Sequence, residues 1–419
     1  QQMLAMGRAL LARPKVLLYS SDFSQLVAEL RASGAAPRHF VRIDAGRRVS
    51  RPRDDPQLSE RARCDDGAIE GPRPAVSDPW ILCYTGGSTG TPKAAVLTHE
   101  SVLWNAINTC ASWGLTVDDC AVLNAPMFHT GGLFVYTLPL LTVGGTVVIM
   151  RKWTAEEMLA LIERERVTLL FCVPTQYQMM LDAPGFATTS FKSVRFLTSG
   201  GAPLPVPIIH AYKAAHGVAF KQGFGMTEFG PGIFSMPPGQ AEAKAGSIGQ
   251  PNYFIAAKVV DEAGAAVPVG AVGELVLKGP AACSGYFADA AATAAAFDAE
   301  GWFHTGDLAR SDADGYFFIV DRKKDMFISG GENVYPVEIE AVLYTHPAVA
   351  QCAVVPLPDP QWGEVGRAVV ALRPGASATP EELLAHCRAH LARYKLPKLI
   401  ELRDSLPLSP AGKILKRAL

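Results

Sequence analysis

Residues 84–93 read Tyr-Thr-Gly-Gly-Ser-Thr-Gly-Thr-Pro-Lys, and the apolar run that starts at Trp80 leads into them and predicts a buried strand. The nine residues from Thr85 to Lys93 contain three glycines and four hydroxyl side chains. Glycines let the backbone approach a ligand, hydroxyls and backbone N–H groups can surround an anion, and a lysine adds a positive charge. The stretch predicts a phosphate-binding loop formed by Thr85, Gly86, Gly87, Ser88, Thr89, Gly90 and Lys93.

The spacing separates this loop from two common nucleotide motifs. A P-loop requires Gly-x-x-x-x-Gly-Lys-Ser/Thr, whereas Thr91 and Pro92 stand between Gly90 and Lys93. The stretch is not Gly-x-Gly-x-x-Gly either, so a dinucleotide-binding fold is not indicated. The alternative interpretation is a flexible Gly/Ser turn, which is common for this composition.

Composition restricts the class of protein. A chain of 419 residues, 49% of them hydrophobic, is longer than one core supports, so at least two domains are expected. The 39 basic residues nearly balance the 40 acidic ones, and this excludes the basic excess typical of proteins that bind nucleic acid or anionic membranes. The eight cysteines form no Cys-x-x-Cys motif, which predicts a reducing, cytoplasmic location without zinc or disulfides.

Further along the chain, strands run into turns rich in glycine or polar residues. The clearest are residues 121–132, which end in His129-Thr130-Gly131-Gly132; residues 194–204, with Gly200-Gly201-Ala202-Pro203; residues 222–228, Gln-Gly-Phe-Gly-Met-Thr-Glu; residues 301–308; and residues 321–336. Between them, a helix at 154–166 precedes a strand at 167–173. This alternation predicts layered α/β architecture.

The order of these blocks, from about residue 19 to residue 419, resembles the acyl-CoA synthetase branch of the adenylate-forming superfamily. The resemblance implies an α/β fold with a large N-terminal domain of layered α/β subdomains, incomplete at its N-terminus, and a small C-terminal α+β domain. The implied boundaries are 19–320 for the AMP-binding domain, 321–324 for a hinge and 325–419 for the mobile C-terminal domain.

The same resemblance implies which residues bind ATP. Residues 85–93 would hold phosphate, Gly200, Gly201, Ala202 and Pro203 would lie against adenine, and Phe224, which replaces the family's tyrosine, would keep a stacking face without its hydroxyl. The remaining implied contacts are Thr227 with the α-phosphate, Glu228 with Mg²⁺, Asp307 with the ribose hydroxyls and Arg322 with the ribose.

The resemblance implies further roles, and for some of these residues a purely structural interpretation is also open. His129 would border the carboxylate pocket, or simply start a helix. Lys152, after a hairpin strand at 144–150, would meet CoA phosphates, or be solvated. The mobile-domain roles are Lys324 at the hinge, Gly330 and Gly331 along a pantetheine tunnel, and Lys413 as the catalytic lysine on a loop that Gly412 can reorient.

The implied reaction joins a small carboxylic acid to coenzyme A with ATP and Mg²⁺ through an acyl adenylate. The expected acyl-pocket residues carry no charge, which favours a fatty or aromatic acid over an amino acid: Val173, Tyr177, Gly225, Met226 and Ile233. Two alternatives remain: a ligase that loads a carrier protein, and an inactive truncated remnant that only binds nucleotide.

Residues 1–18 do not resemble a synthetase. They are similar to the segment that follows the signature motif of ABC-transporter ATPases, but Tyr19-Ser20-Ser21-Asp22 stands where that family has its catalytic carboxylates. We therefore expect a foreign segment here, with upstream synthetase elements missing.

Overall fold

The computed structural model describes residues 16–19, 24–32, 39–42, 73–85, 93–201, 204–408 and 414–419. In that part of the chain, every helix is too short or too polar to cross a bilayer. The chain divides into two units, Gln1–Arg73 and Pro74–Leu419. In the first, β1 (Val16–Tyr19) pairs in parallel with β2 (His39–Arg42), and α1 (Ser24–Ala32) connects them. A helical crossover of this kind is what parallel strands require.

The second unit starts with an antiparallel pair, β3 (Pro79–Thr85) and β4 (Lys93–Thr98), in which Thr85 is opposite Lys93. Helix α2 (His99–Trp113) follows, and its N-cap Thr98 accepts a 3.1 Å hydrogen bond from the Ser101 N–H. The prediction of a buried strand at residue 80 is only half right. β3 forms, but Trp80 is 48% exposed and stacks on His99, because β3 pairs with β4 alone.

A seven-stranded sheet in the order β11-β10-β9-β8-β7-β5-β6 forms the centre of this unit. Strands β5 to β9 are parallel to their neighbours, and β10 and β11 are antiparallel. The bounds are β5 Cys120–Leu123, β6 Thr146–Ile149, β7 Leu169–Cys172, β8 Phe196–Ser199, β9 Phe220–Met226, β10 Gly230–Ser235 and β11 Gln250–Pro251. The prediction of a hairpin strand at 144–150 is wrong, since β6 is a parallel edge strand.

Helices cover both faces of the sheet. They are α3 (Thr130–Gly132), a π-helical turn (Leu133–Thr137), α4 (Leu138–Val143), α5 (Ala155–Arg164), α6 (Pro174–Leu181), α7 (Val206–His216) and α8 (Gln240–Ala243). Successive strand residues enter different cores: Leu169 packs with Trp113, whereas Leu170 packs with Met158. Because adjacent strand residues point to opposite faces, an uninterrupted apolar strand such as Leu169–Cys172 packs against a core on both sides.

Helix α2 is fixed to β10 by a buried polar network. Asn105 Oδ1 accepts from the Gly232 N–H at 3.1 Å, and Asn108 Nδ2 donates to the Gly232 carbonyl at 2.8 Å. A Cβ added at Gly232 would overlap Thr109 Oγ1, a buried hydroxyl without a hydrogen-bond partner. Glycine is therefore required at this position by the close approach of the helix.

We expect Gly232→Ala to lower the free energy of unfolding by about 1–3 kcal/mol, since it overpacks this contact. Urea titration followed by circular dichroism measures the change. Adding Thr109→Ala removes the overlapping hydroxyl and should restore most of the loss. If the single variant is as stable as the wild type, the helix and strand are less tightly packed than described.

A four-stranded antiparallel sheet follows, in the order β12-β13-β14-β15. Its elements are β12 (Ala256–Val260), β13 (Gly273–Lys278), α9 (Ala290–Ala296), β14 (Phe303–Ser311) and β15 (Phe317–Arg322). Phe303 packs edge-on against Phe229 at 5.6 Å between ring centroids, so this sheet shares a core with β10.

The last part of the chain is an α+β module with a hydrophobic core of its own. It contains β16 (Phe327–Ser329), β17 (Glu332–Val334), α10 (Pro336–Tyr344), β18 (Val349–Asp359), β19 (Gly363–Leu372), α11 (Pro380–His390) and β20 (Leu399–Leu402). Thr379 caps α11, and Glu382 completes a capping box with it. The predicted fold class, a large α/β domain with a small α+β domain, is thus observed.

Candidate active site

Five of the predicted site residues lie in loops at one edge of the central sheet. His129 lies in the loop after β5, Gly200 and Gly201 follow β8, and Thr227 and Glu228 follow β9. Because β5, β8 and β9 run in the same direction, their carboxyl ends meet at this edge, where open α/β sheets bind ligands. Segments that are distant in sequence therefore converge here.

Phe171 connects two of these loops. A Cβ on Gly200 would lie 3.2 Å from one edge carbon of the Phe171 ring, and a Cβ on Gly131 would lie 3.6 Å from the other. Gly201 has a φ of +82°, which favours glycine. The turn after β8 is therefore closely packed and free of side chains at its start. Nothing in the sequence pattern distinguished Phe171 from the other apolar residues of its strand.

His129 forms the N-cap of α3. Its Nδ1 accepts a 3.0 Å hydrogen bond from the Gly131 N–H, and the side chain is exposed. The interpretation of His129 as a helix-start residue is correct in this respect. Since Nδ1 is the acceptor, the neutral ring carries its proton on Nε2. The predicted place beside a carboxylate pocket stays a prediction.

Tyr286 joins two predicted phosphate-site residues. Its hydroxyl donates to Glu228 Oε1 at 2.8 Å, and Lys93 Nζ lies 5.1 Å from the centroid of its ring. Glu228 is 7% exposed, and its carbonyl accepts from the Cys283 N–H. The Lys93 ammonium and the Glu228 carboxylate, which come from two separate predicted motifs, therefore both contact Tyr286, the first at the ring and the second at the hydroxyl. Sequence reasoning missed Tyr286, which is 58 residues from Glu228.

The surroundings of Glu228 keep neighbouring acidic groups protonated. Burial, followed by the charge of Glu228, raises the pKa of the Cys83 thiol to about 11, and burial and Glu228 also raise the pKa of Cys283 to about 12. The same two causes raise the pKa of the Tyr286 phenol above its ordinary value. Neither thiol is a nucleophile at neutral pH, so this part of the site supplies charge and hydrogen bonds.

Glu228 fits the role of a magnesium ligand. Its Oε1 is engaged by Tyr286, and Mg²⁺ is commonly held by one or two carboxylates together with substrate phosphates. Within the described ranges, no three His, Cys, Asp or Glu side chains form an all-protein metal cage. Phosphate oxygens and water are the other ligands that Mg²⁺ commonly takes, so a carboxylate at this position suits a site for ATP with Mg²⁺.

The two predicted ribose ligands contact each other. Arg322 Nε is 2.5 Å from Asp307 Oδ1, and the two residues face each other across β14 and β15. Asp307 is only 3% exposed at its side chain, and its N–H donates to Thr305 Oγ1 at 3.0 Å. A ribose would reach this carboxylate only after the groups around it move apart. The ribose role of Asp307 and Arg322 stays a prediction.

The predicted hinge, residues 321–324, is divided between a strand and a turn. Asp321 and Arg322 belong to β15, whereas Lys323 and Lys324 form a turn. Asp321 is buried and accepts from the Val337 N–H at 3.0 Å, so it caps the first turn of α10, and burial raises its pKa above the usual carboxyl value. Lys324 itself is half exposed, 3.9 Å from Asp325.

Gly330 and Gly331 have a local structural role. They form the two-residue turn between β16 and β17, with φ values of +60° and +88°. Turns of this kind require positive φ at both positions. The Gly330 N–H donates to the Trp362 carbonyl at 2.9 Å, and a Cβ there would lie 2.8 Å from the indole. The hairpin alone accounts for both glycines, and their place along a tunnel stays a prediction.

Other predicted positions are less informative. Lys152 is exposed after the edge strand β6, and Phe224 is half-buried with its ring 6.0 Å from that of Phe234. The CoA role of the first and the adenine-stacking role of the second stay predictions. The predicted site residues that lie outside the described part of the chain are Gly86, Gly87, Ser88, Thr89, Gly90, Ala202, Pro203 and Lys413.

Two of the expected acyl-pocket residues are core residues instead. Tyr177 is fully buried and donates to the Thr198 carbonyl at 2.8 Å, and Ile233 is also fully buried. Gly225 is exposed, and a Cβ there would overlap the Pro231 backbone. The pocket assignment is therefore wrong for Tyr177 and Ile233, because apolar character cannot distinguish a pocket wall from a core.

Comparison with known proteins relates this geometry to characterised sequences. Residues 9–287 match the profile described as AMP-binding enzyme, and residues 338–413 match that of the AMP-binding enzyme C-terminal domain. The first match begins inside residues 1–18, whose foreign origin stays a prediction and whose first fifteen residues lie outside the described part.

Sequence relatives include the feruloyl-CoA synthase of an Amycolatopsis species, which is 41% identical over 401 residues, 96% of this chain and 77% of the relative. The indoleacetate–CoA ligase of Aromatoleum aromaticum is 38% identical over 354 residues, 84% of this chain and 69% of the relative. Among solved structures, ATP-bound MatB from Rhodopseudomonas palustris is similar with a TM-score of 0.86 and 30% identity, over 97% of this chain and 78% of that one.

Proposed function

Since this chain belongs to the AMP-binding enzyme family, we propose that it activates an aromatic carboxylic acid with ATP and transfers the acyl group to coenzyme A. The enzyme class, an AMP-forming acid–CoA ligase that uses ATP, Mg²⁺ and CoA, follows from the family and its relatives. The choice of an aromatic acid as the substrate is the more specific part of the proposal. It is supported by the two relatives, whose names specify feruloyl and indoleacetate substrates.

The observation that carries the mechanism is the meeting of Lys93 and Glu228 on Tyr286. In the first half-reaction a carboxylate oxygen attacks the α-phosphorus of ATP, and pyrophosphate leaves. Negative charge spreads over the phosphate oxygens, so positioned cations and donors lower the barrier. Lys93 supplies one positive charge, the Thr227 hydroxyl one donor, and Lys413 a second cation. Mg²⁺ held by Glu228 neutralises phosphate charge when it is bound.

In the second half-reaction the deprotonated sulfur of CoA attacks the acyl carbonyl carbon. The bond between that carbon and the anhydride oxygen breaks, and AMP leaves with its electron pair. The small domain rotates about the turn at Lys323 and Lys324, which withdraws Lys413 and brings Gly330 and Gly331 toward the thiol. The Asp321 carboxylate joins the strand before the turn to the first helix after it, so this hydrogen bond has to break when the small domain rotates.

The direct test is ATP–pyrophosphate exchange with a panel of aromatic and fatty acids, followed by thioester formation with CoA. We expect exchange and thioester product with aromatic acids at higher kcat/KM than with fatty acids. A preference for fatty acids would reject the aromatic proposal. Exchange without CoA thioester would favour transfer to a carrier protein, and no exchange with any acid would favour an inactive nucleotide-binding remnant. A cytoplasmic location stays a prediction.

We expect Lys324→Pro to slow thioester formation about tenfold or more while pyrophosphate exchange changes little, because proline restricts φ at the pivot. The Arg322 carbonyl accepts from the Asp325 and Met326 N–H groups, so the turn closes without help from the Lys324 N–H. Lys324→Ala serves as the matched control, since it removes the charge and leaves the backbone mobile. Equal losses in both half-reactions would reject the pivot.

A further inference from the structure

A second cleft of about 650 Å³ lies at the opposite edge of the central sheet. It is bordered by the end of α2, the residues before β8, the start of β9, the end of β10, and β11. Lys221, near the start of β9, lines the cleft. Thr227, at the catalytic edge, is six positions further along the same extended segment. At about 3.3 Å per residue, the two positions are about 20 Å apart.

Lys221 has no charged partner in this cleft. The residue is only 5% exposed, and its Nζ lies 4.3 Å from the ring centroid of Phe196 and 5.8 Å from that of Trp113. Among the described residues no carboxylate pairs with it. A buried ammonium that faces only aromatic rings is poorly compensated. Burial, and then the charge of Arg195, lower the pKa of Lys221 to about 8.

Two charged side chains of this region, Arg195 and Asp119, form an ion pair with each other. Arg195 also lines the cleft, but its guanidinium is 2.5 Å from Asp119 Oδ2. Asp119 additionally accepts from the Thr168 hydroxyl at 2.7 Å and from the Thr116 N–H at 2.9 Å. The Asp119 carboxylate is therefore committed to Arg195 and its hydrogen bonds, and the cleft has an excess positive charge at Lys221.

The lining of the cleft combines polar and apolar side chains: Ser112, Gln250 and Asn252 line it together with Met236 and several prolines. Tyr253 stands at the rim with 77% of its surface exposed, whereas Phe196 and Trp113 lie beside Lys221 and are almost fully buried. A cleft of several hundred Å³ that offers apolar surface and a few polar groups is typical of small-molecule sites. The exposed ring of Tyr253 favours a planar organic ligand over an inorganic anion.

We propose that this cleft binds the oxyanion of an aromatic or similarly planar organic acid, with Lys221 as the counter-cation. The ligand has two possible sources. It is either a free acid that binds independently of catalysis, or the far end of an acid substrate that extends along β9 from the catalytic edge. The second source rests on the proposed function, whereas binding of a free acid does not.

Calorimetric titration of the intact protein with benzoate tests the proposal. The adenylation site is first filled with a non-reactive sulfamoyl-adenosine analogue of benzoyl-AMP. We expect one further equivalent of benzoate to bind, and Lys221→Met to weaken it at least tenfold. Lys192→Met, at an exposed lysine outside the cleft, is the matched control and should not change binding. Benzamide and inorganic phosphate should bind much more weakly, because each lacks one of the two recognised features.

The pH dependence provides a second readout. The protonated form of Lys221 binds the benzoate anion, so affinity should be retained near about pH 6, where the ligand is still ionised, and fall as the pH rises through the lysine pKa. Burial opposes ionisation of Asp119, but hydrogen bonds from Arg195 and Thr168 lower its pKa overall, so this carboxylate does not contribute to the change. If Lys221→Met does not fold, the wild-type profile decides: affinity that is constant from about pH 6 to about pH 10 would overturn the proposal.

A substituted analogue distinguishes the two sources. If the cleft receives the far end of a substrate, an analogue whose para position carries a carboxylate on a linker long enough to span about 20 Å should bind wild type more tightly than the unsubstituted one and exclude benzoate, and Lys221→Met should remove that preference. Benzoate binding beside either analogue would identify a separate site. Unchanged affinity of Lys221→Met for both benzoate and the linker-carboxylate analogue would overturn the proposal. Each readout is independent of turnover, so failure of the proposed enzymatic activity would not obscure it.

Discussion

Glu228→Gln is expected to slow adenylate formation by about 10²–10³-fold, the range seen when one preorganised charge-stabilising group is removed from an active site. Glutamine keeps the shape and still accepts from the Tyr286 hydroxyl, but it lacks the charge that would hold Mg²⁺ beside the phosphates. The loss should appear in pyrophosphate exchange, and the Mg²⁺ concentration needed for half-maximal exchange should rise.

Two controls separate this effect from a loss of structure. Tyr286→Phe removes only the hydroxyl that orients Glu228 and should cost about tenfold, in line with one hydrogen bond to a charged group. Glu242→Gln removes a surface carboxylate paired with Lys213 and His210 and should leave exchange unchanged. If Glu228→Gln exchanges at the wild-type rate at every Mg²⁺ concentration, Glu228 does not hold the metal.

Lys413→Ala is expected to reduce adenylate formation by about 10²–10³-fold and to spare thioester formation from supplied acyl-AMP. The residues that flank this position are well anchored. Leu408 and Ile414 form a β-bridge, the Leu415 N–H donates to the Pro407 carbonyl at 2.8 Å, and Lys416 Nζ is 2.8 Å from the partly buried Glu340. The described residues on both sides of residues 409–413 are thus held in place by defined contacts.

The half-reaction that uses supplied acyl-AMP is the internal control for Lys413→Ala, because an unfolded or misassembled variant would lose both activities. A parallel fall in the two rates would show that Lys413 does not act in the first step alone. Unchanged exchange would remove Lys413 from the catalytic residues altogether.

Local features of this fold were predictable where cause and effect are close in sequence. Thr98 and Thr379 cap helices that begin at the next residue, and a cap acts on N–H groups two or three positions away. The strand predicted at 167–173 also depends on a local pattern, a short run of mostly apolar residues, and it is observed as Leu169–Cys172. Predictions failed where the partner strand or the packed neighbour is distant: β6 is parallel to β5, and Tyr177 is buried under α7, neither of which its own sequence indicates.

What the sequence by itself determined is the order of the motifs, and with it the family and the class of reaction. A glycine-rich loop with a lysine, a Met-Thr-Glu end to a strand, and an aspartate before a hairpin identify their chemistry by residue type and spacing. Only the tertiary structure decided that Tyr286 joins Lys93 to Glu228, that Arg322 pairs with Asp307, and that Lys221 is buried with no carboxylate partner among the described residues. The physical reason is that burial and pairing depend on which distant segments pack together, and no single segment contains that information.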